Sequence, residues 1–170
     1  MDTFLNNSQL TDLVWIGRFN DLTKPIPGNG FFLDKNLPTL EIVQDRIRSV
    51  SHDLINKDKK VVFVLEGVNF NRNIPEYLLK LKQFNEEADQ SILIKNINEE
   101  RESIGLTIKF LESIDGIAFV DSLDLFCDGI VCNAIMKDGS LLVVDNVHIS
   151  HQASSILAKE IMQKLETLKN

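Results

Sequence analysis

Short continuous apolar runs alternate along this chain with longer stretches whose apolar residues recur at steps of three and four. Residues 12–18 (Asp-Leu-Val-Trp-Ile-Gly-Arg) form the first run and read as a buried strand. Phe19-Asn20-Asp21 follows its carboxyl end. A loop punctuated by Pro25, Pro27, Gly28, Asn29 and Gly30 comes next, and Phe31 and Phe32 are expected to anchor it to the core. Leu40, Val43, Ile47, Val50 and Leu54 make a helical stripe, with Thr39 after Pro38 as its N-cap. Asp45, Arg46, Arg48 and Asp53 lie off that stripe and are expected to face water. After a charged turn at residues 57–60, residues 61–65 (Val-Val-Phe-Val-Leu) have the unbroken apolar character of a central parallel strand covered on both faces.

The second half repeats the alternation. Residues 66–71 leave the strand as a loop, and Pro75 opens a helix running to about Asn85. Residues 91–97 fit either strand or helix. Residues 99–113 read as a helix with Ile104, Ile108 and Leu111 inward, and residues 117–121 as a short strand. Lys137-Asp138-Gly139-Ser140 is a turn. Residues 141–144 read as the last buried strand, ending at Asp145. Ser150 can cap a helix that carries Ile149, Ala153, Ile156, Leu157, Ile161, Leu165 and Leu168 on one face and ends at Lys169. Strands alternating with helices predict an α/β fold with right-handed crossovers and a mainly parallel sheet between two helical layers. No internal repeat or linker divides residues 1–170, which read as a single domain.

Charge narrows the function. The net charge of −7, from 18 Lys+Arg against 25 Asp+Glu, leaves no basic face for nucleic acid or anionic lipid. No run reaches the roughly 18 apolar residues of a spanning helix, and the first residues lack the basic and apolar regions of a signal peptide. Neither a Gly-x-Gly-x-x-Gly nor a phosphate loop occurs, which argues against nucleotide chemistry, and no cofactor is expected.

The chemistry-bearing residues cluster near the C-terminus. Asp145 and His148 sit where a strand gives way to a helix, at the edge where open α/β sheets bind ligands. Two intervening residues let the carboxylate fold back on Nδ1, fixing the tautomer of a general base; the bland alternative is a strand end and a surface histidine. His151 extends the series to Asp-x-x-His-x-x-His, but no further Cys, His or Glu cluster completes a metal shell, so no metal is expected. Asn20, or Arg18 beside it, can serve an oxyanion, or Asn20 can be a turn residue. Gly67-Val68-Asn69 reads as a turn. Gly129 lets the Cys127-to-Cys132 loop close. Its spacing fits a disulfide contributing about 2 kcal/mol by loop entropy, or two reduced thiols of a cytosolic protein. A nucleophile is missing: no Gly-Asp-Ser or Gly-x-Ser-x-Gly occurs, Ser8 has no preceding strand, and Ser51 lies on a helix.

Phe119-Val120-Asp121, Leu125-Phe126-Cys127, Cys132, Asp138-Gly139 and Val144-Asp145-x-x-His148-Ile149-Ser150 occur in that order. Together they resemble the end of an SGNH (GDSL-like) hydrolase domain. The nearest resemblance is to the extracytoplasmic SGNH domain behind bacterial membrane acyltransferase domains that O-acetylate surface polysaccharides. Residues 12–18 resemble the family's third-block strand; where the superfamily has Gly-x-Asn-Asp, this chain has Gly17-Arg18-Phe19-Asn20-Asp21, one residue longer. The first block, with its Gly-Asp-Ser nucleophile, has no counterpart.

The resemblance thus spans nearly the whole chain but only the later part of the domain. It implies an N-terminally truncated three-layer α/β/α domain lacking its first strand, from a cropped protein, a split or decayed gene, or a domain that dispenses with the serine. It further implies His148 as general base, Asp145 as its orienter, Asn20 or Arg18 at the oxyanion, and a Cys127–Cys132 disulfide. The partners implied are an acyl donor, a carbohydrate hydroxyl acceptor and a membrane acyltransferase domain, outside the cytoplasm. With its serine elsewhere the chain would be inactive alone, and the edge left by the absent strand would favour self-association. The rival reading is a non-catalytic α/β interaction or structural domain.

Overall fold

A computed structural model describes residues 9–17 and 40–168. The elements run β1 (Asp12–Ile16), α1 (Leu40–Ile55), β2 (Lys60–Val64), α2 (Ile74–Phe84), α3 (Gln90–Leu93), β3 (Ile94–Asn96), α4 (Asn98–Glu112), β4 (Ile117–Val120), α5 (Ser122–Phe126), β5 (Val131–Asn133) and α6 (His151–Thr167). Strands β1, β2 and β4 form a parallel sheet with β2 in the middle, Val14 opposite Val62 and Phe63 opposite Phe119. Strands β3 and β5 pair antiparallel in a separate small sheet.

The unbroken apolar run of β2 explains the layering. Successive strand residues point to opposite faces. Val61, Phe63 and Leu65 enter one core with Ile47 and Leu54 of α1 and Ile104, Phe110 and Leu111 of α4. Val62 and Val64 enter a second core with Val120 of β4 and Leu157 and Leu165 of α6. Both faces are covered, and β2 is essentially without solvent exposure beyond Lys60.

Strand β1 departs from the expected burial. Leu13 and Trp15 pack inward, Trp15 stacking on Phe63 at 5.5 Å, but Val14 is 37% and Ile16 67% exposed. Their face is that of Val62 and Val64, where α6 covers β2 and β4. Among the described residues β1 is bonded along one edge only. Residues 91–97, open between strand and helix, are both: one turn of α3, then β3.

Local signals set the helix ends. The Asn73 side chain accepts from the Glu76 amide at 3.1 Å, Pro75 lies in the first turn, and Asn85 closes α2 in the left-handed region at φ 58. Ser150 Oγ accepts from the Ala153 amide at 3.2 Å and starts α6. Thr39 and the loop of residues 18–39 lie outside the described residues. Two charged residues differ from expectation. Arg48 does not simply face water: it bonds Asp45 at 3.0 Å and sets its guanidinium 5.5 Å from the centre of the Phe110 ring, its stem covering apolar surface. Lys59 of the charged turn is buried, with its ammonium on the Leu10 carbonyl at the approach to β1.

Ser51 faces the core from α1 at 1% exposure, and its hydroxyl has no hydrogen-bond partner among the described residues. A buried polar group without a partner forfeits its hydration for nothing. Ser51→Ala is therefore expected to stabilise the fold by about 1 kcal/mol, read as a higher urea midpoint at unchanged denaturant slope. A lower midpoint would show that the hydroxyl is bonded.

Candidate active site

Residues 141–144 are not a strand of the main sheet. Gly139, at φ +83, turns the chain, and Met136 and Ser140 bond across that turn at 2.8 Å. The reversal lays the following residues back on their own predecessors. Leu142 donates to the Ala134 carbonyl and Ser150 to the Leu142 carbonyl, each at 2.8 Å, with isolated antiparallel bridges at Ile135–Leu141 and Val143–Ile149. Burial of Leu142 and Val143, both 1% exposed, produced the strand-like apolar run. Their backbone partners lie nearby in the chain, not on β4.

This reversal mounts Asp145 and His148 on a loop closed by the Val144 amide donating to the His148 carbonyl at 2.8 Å. Asp145 Oδ1 accepts from the amides of Val147 and His148, at 2.7 and 2.8 Å. Asp145 Oδ2 lies 2.6 Å from His148 Nδ1. The amide of His148, the amide of Val147 and then the imidazole hold the Asp145 carboxyl down to about 2, against an ordinary 3.8. Ionised at neutral pH, it favours the tautomer with hydrogen on Nδ1 and leaves Nε2 as the free base. The imidazole is 76% exposed and the carboxylate 32%, so Nε2 is open to an incoming hydroxyl. These two expected site residues are brought together.

The others divide. His151 is the exposed first residue of α6. No three His, Cys, Asp or Glu side chains gather for a metal among the described residues. Arg18, Asn20 and Ser8 lie outside the described residues. Ser51 is buried in α1, away from solvent. Cys127 and Cys132 are joined in a disulfide, around a turn in which Asp128 and Val131 bond reciprocally and Gly129 takes φ +56. Arg101 clasps this turn, binding the Gly129 carbonyl at 2.5 Å and Asp124 at 2.6 Å. Asp121, at the end of β4, caps α5 by accepting from Leu123 at 2.8 Å, and burial pushes its carboxyl up.

Two supports around the Asp145–His148 loop were not foreseen from the sequence. The Phe70 amide donates to the Asn146 carbonyl at 2.8 Å, and Phe70 is 1% exposed, so a buried anchor in the loop after β2 grips the Asp145–His148 loop. Lys95 of β3 braces the loop after β2 by donating to the Asn69 carbonyl at 2.5 Å, and it pairs with Glu100. The only sequence signal was an aromatic directly after an apparent turn, Gly67-Val68-Asn69.

The chain belongs to the SGNH domain family of the kind fused to AT3 domains, whose family model matches residues 2–163. A solved structure, the periplasmic domain of a Salmonella ser. Paratyphi A lipopolysaccharide acetyltransferase, has the same fold, with a TM-score of 0.56 and 17% identity. The match covers 92% of this chain and 56% of that one, so this chain spans little more than half the length of that domain. No curated protein matches it in sequence. Among the described residues no helix is long and apolar enough to cross a membrane.

The depressed Asp145 carboxyl sets a pH window. Its folded-state value lies below the ordinary one, so its bonds stabilise the loop fully above about 3.8 and are lost as pH falls through about 2. A carbon-13 NMR titration of the Asp145 carboxyl should give a midpoint near 2. A midpoint at the ordinary value would mean that the two amides do not bind it.

Proposed function

We propose that this chain carries the general base and its orienting carboxylate of an SGNH-type acyl esterase or polysaccharide O-acetyltransferase domain. The observation that carries the reading is the Asp145–His148 contact at 2.6 Å, within a chain belonging to the SGNH family. The serine nucleophile is assigned to residues outside this sequence, since no Gly-Asp-Ser occurs within it. In the assembled site His148 Nε2 takes the serine proton as the hydroxyl attacks the ester carbonyl of an acyl donor. The imidazolium, stabilised by Asp145, returns that proton to the departing alkoxide, leaving an acyl-serine. A sugar hydroxyl, or water, then attacks the acyl carbon while Nε2 takes its proton, and serine leaves with that proton. Asn20 or Arg18 is assigned to the oxyanion. A membrane AT3 domain delivers the acyl donor to this domain on the extracytoplasmic side, and the Cys127–Cys132 disulfide suits that compartment.

The reading has a direct test. Purified 170-residue chain should not turn over p-nitrophenyl acetate. Joined to a segment bearing the family's Gly-Asp-Ser strand, it should gain esterase activity that falls roughly a thousandfold or more in His148→Ala and in Asp145→Asn. Turnover by the unmodified chain that vanishes in His148→Ala would overturn the assignment of the serine. A joined protein that folds and stays inert would instead favour a non-catalytic binding domain.

A further inference from the structure

Between the loop after β2 and residues 91–96 lies a cleft of about 450 Å3, a size that suits one or two sugar rings. Phe70, whose amide holds Asn146, forms part of its wall, so the cleft and the base loop share a backbone contact. The lining is cationic and amide-rich in a chain whose net charge is −7, and it includes no carboxylate. Arg72 is exposed there, with its guanidinium 5.2 Å from the centre of the Tyr77 ring. That ring is itself fixed, its hydroxyl accepting from the Asp89 amide at 2.9 Å. Among the described residues Arg72 has no carboxylate partner, so a flat, pre-oriented fork of N–H donors is left for an outside anion. The Lys95 ammonium is spent on Glu100 and the Asn69 carbonyl, which leaves Arg72 as the cation that a ligand can meet. Asn96 spends its Oδ1 on the Asn98 amide at 3.0 Å, which turns its NH2 to other use, and Asn71 is exposed. Ile94, 41% exposed, supplies the apolar surface that a pyranose C–H face covers.

We propose that this cleft binds an anionic saccharide, its carboxylate or phosphate on Arg72, its hydroxyls on Asn71 and Asn96, and its ring against Ile94. The choice of a saccharide over another anion rests on the acyl-transfer reading above; bound there, the sugar would sit beside the His148 loop as acceptor.

Titration calorimetry and amide-shift mapping with trigalacturonate, its methyl-esterified form, glucose 1-phosphate and inorganic phosphate test it. Trigalacturonate or glucose 1-phosphate should bind and shift the amides of Asn71, Ile94 and Asn96, and whichever binds identifies the anion. The methyl ester should bind at least about tenfold more weakly than trigalacturonate, and Arg72→Gln should weaken binding of the anionic sugar by a similar factor. Binding is read without turnover, so its outcome is separate from that of the esterase test. Equal binding of the ester, no effect of Arg72→Gln, inorganic phosphate binding as tightly as either sugar, or no binding of either anionic sugar would overturn the proposal.

Discussion

Strand β2 has to satisfy four demands at once: two edges of backbone bonds and two faces of side chains. It meets the first through parallel pairing with β1 and β4. It meets the second because every residue from Val61 to Val64 is apolar, so neither face exposes a polar group to the core. Each helical layer is then defined by which alternate residues of β2 it covers. The carboxyl end of β2 also decides where chemistry can happen. The chain leaving it is gripped by Ser122 Oγ on the Leu65 carbonyl at 2.7 Å, passes Gly67 and sinks Phe70 into the core, where its amide finds Asn146. The Asp145–His148 loop is therefore registered to the main sheet through one backbone bond on a buried anchor.

Features that depend on local pattern were legible in the chain. The apolar run of β2, the stripe from Val43 to Leu54, the Pro75 helix start and the Ser150 cap all follow from neighbours a few residues apart. The approach of Asp145 to His148 belongs with them, because a carboxylate can fold back across two residues without help from the rest of the protein. What the pattern concealed were partners distant in sequence. Residues 141–144 are apolar because Leu142 and Val143 are buried, and burial alone does not reveal whether the backbone pairs with a sheet or with its own preceding turn. The exposure of Val14 and Ile16 depends on where α6 lies, and the role of Phe70 depends on a carbonyl far along the chain. Asn20 and Arg18, proposed for the oxyanion on resemblance alone, lie outside the described residues.

The electrostatics of the Asp145–His148 pair are asymmetric. Asp145 is held by three donors that anchor its charge, whereas His148 stands mostly in water. An exposed imidazole keeps access to bulk proton exchange but gains little from a low dielectric, so the loop alone lacks the water-excluding wall that strengthens charge interactions in closed sites. The geometry that would orient a histidine base is built here; the enclosure is not built by the described residues around it.

The bonds that shape the Asp145–His148 loop also have a bearing on folding order. The two amides and the imidazole that fix Asp145 lie within three residues of it, and the loop closes between Val144 and His148. Contacts this local need almost no chain closure to form. The arrangement behaves as a cassette: its internal geometry is written in a handful of consecutive residues, and the surrounding domain supplies only its address. Sequence drift in the sheet can relocate the pair relative to a substrate long before it disturbs the distance between the carboxylate and the ring.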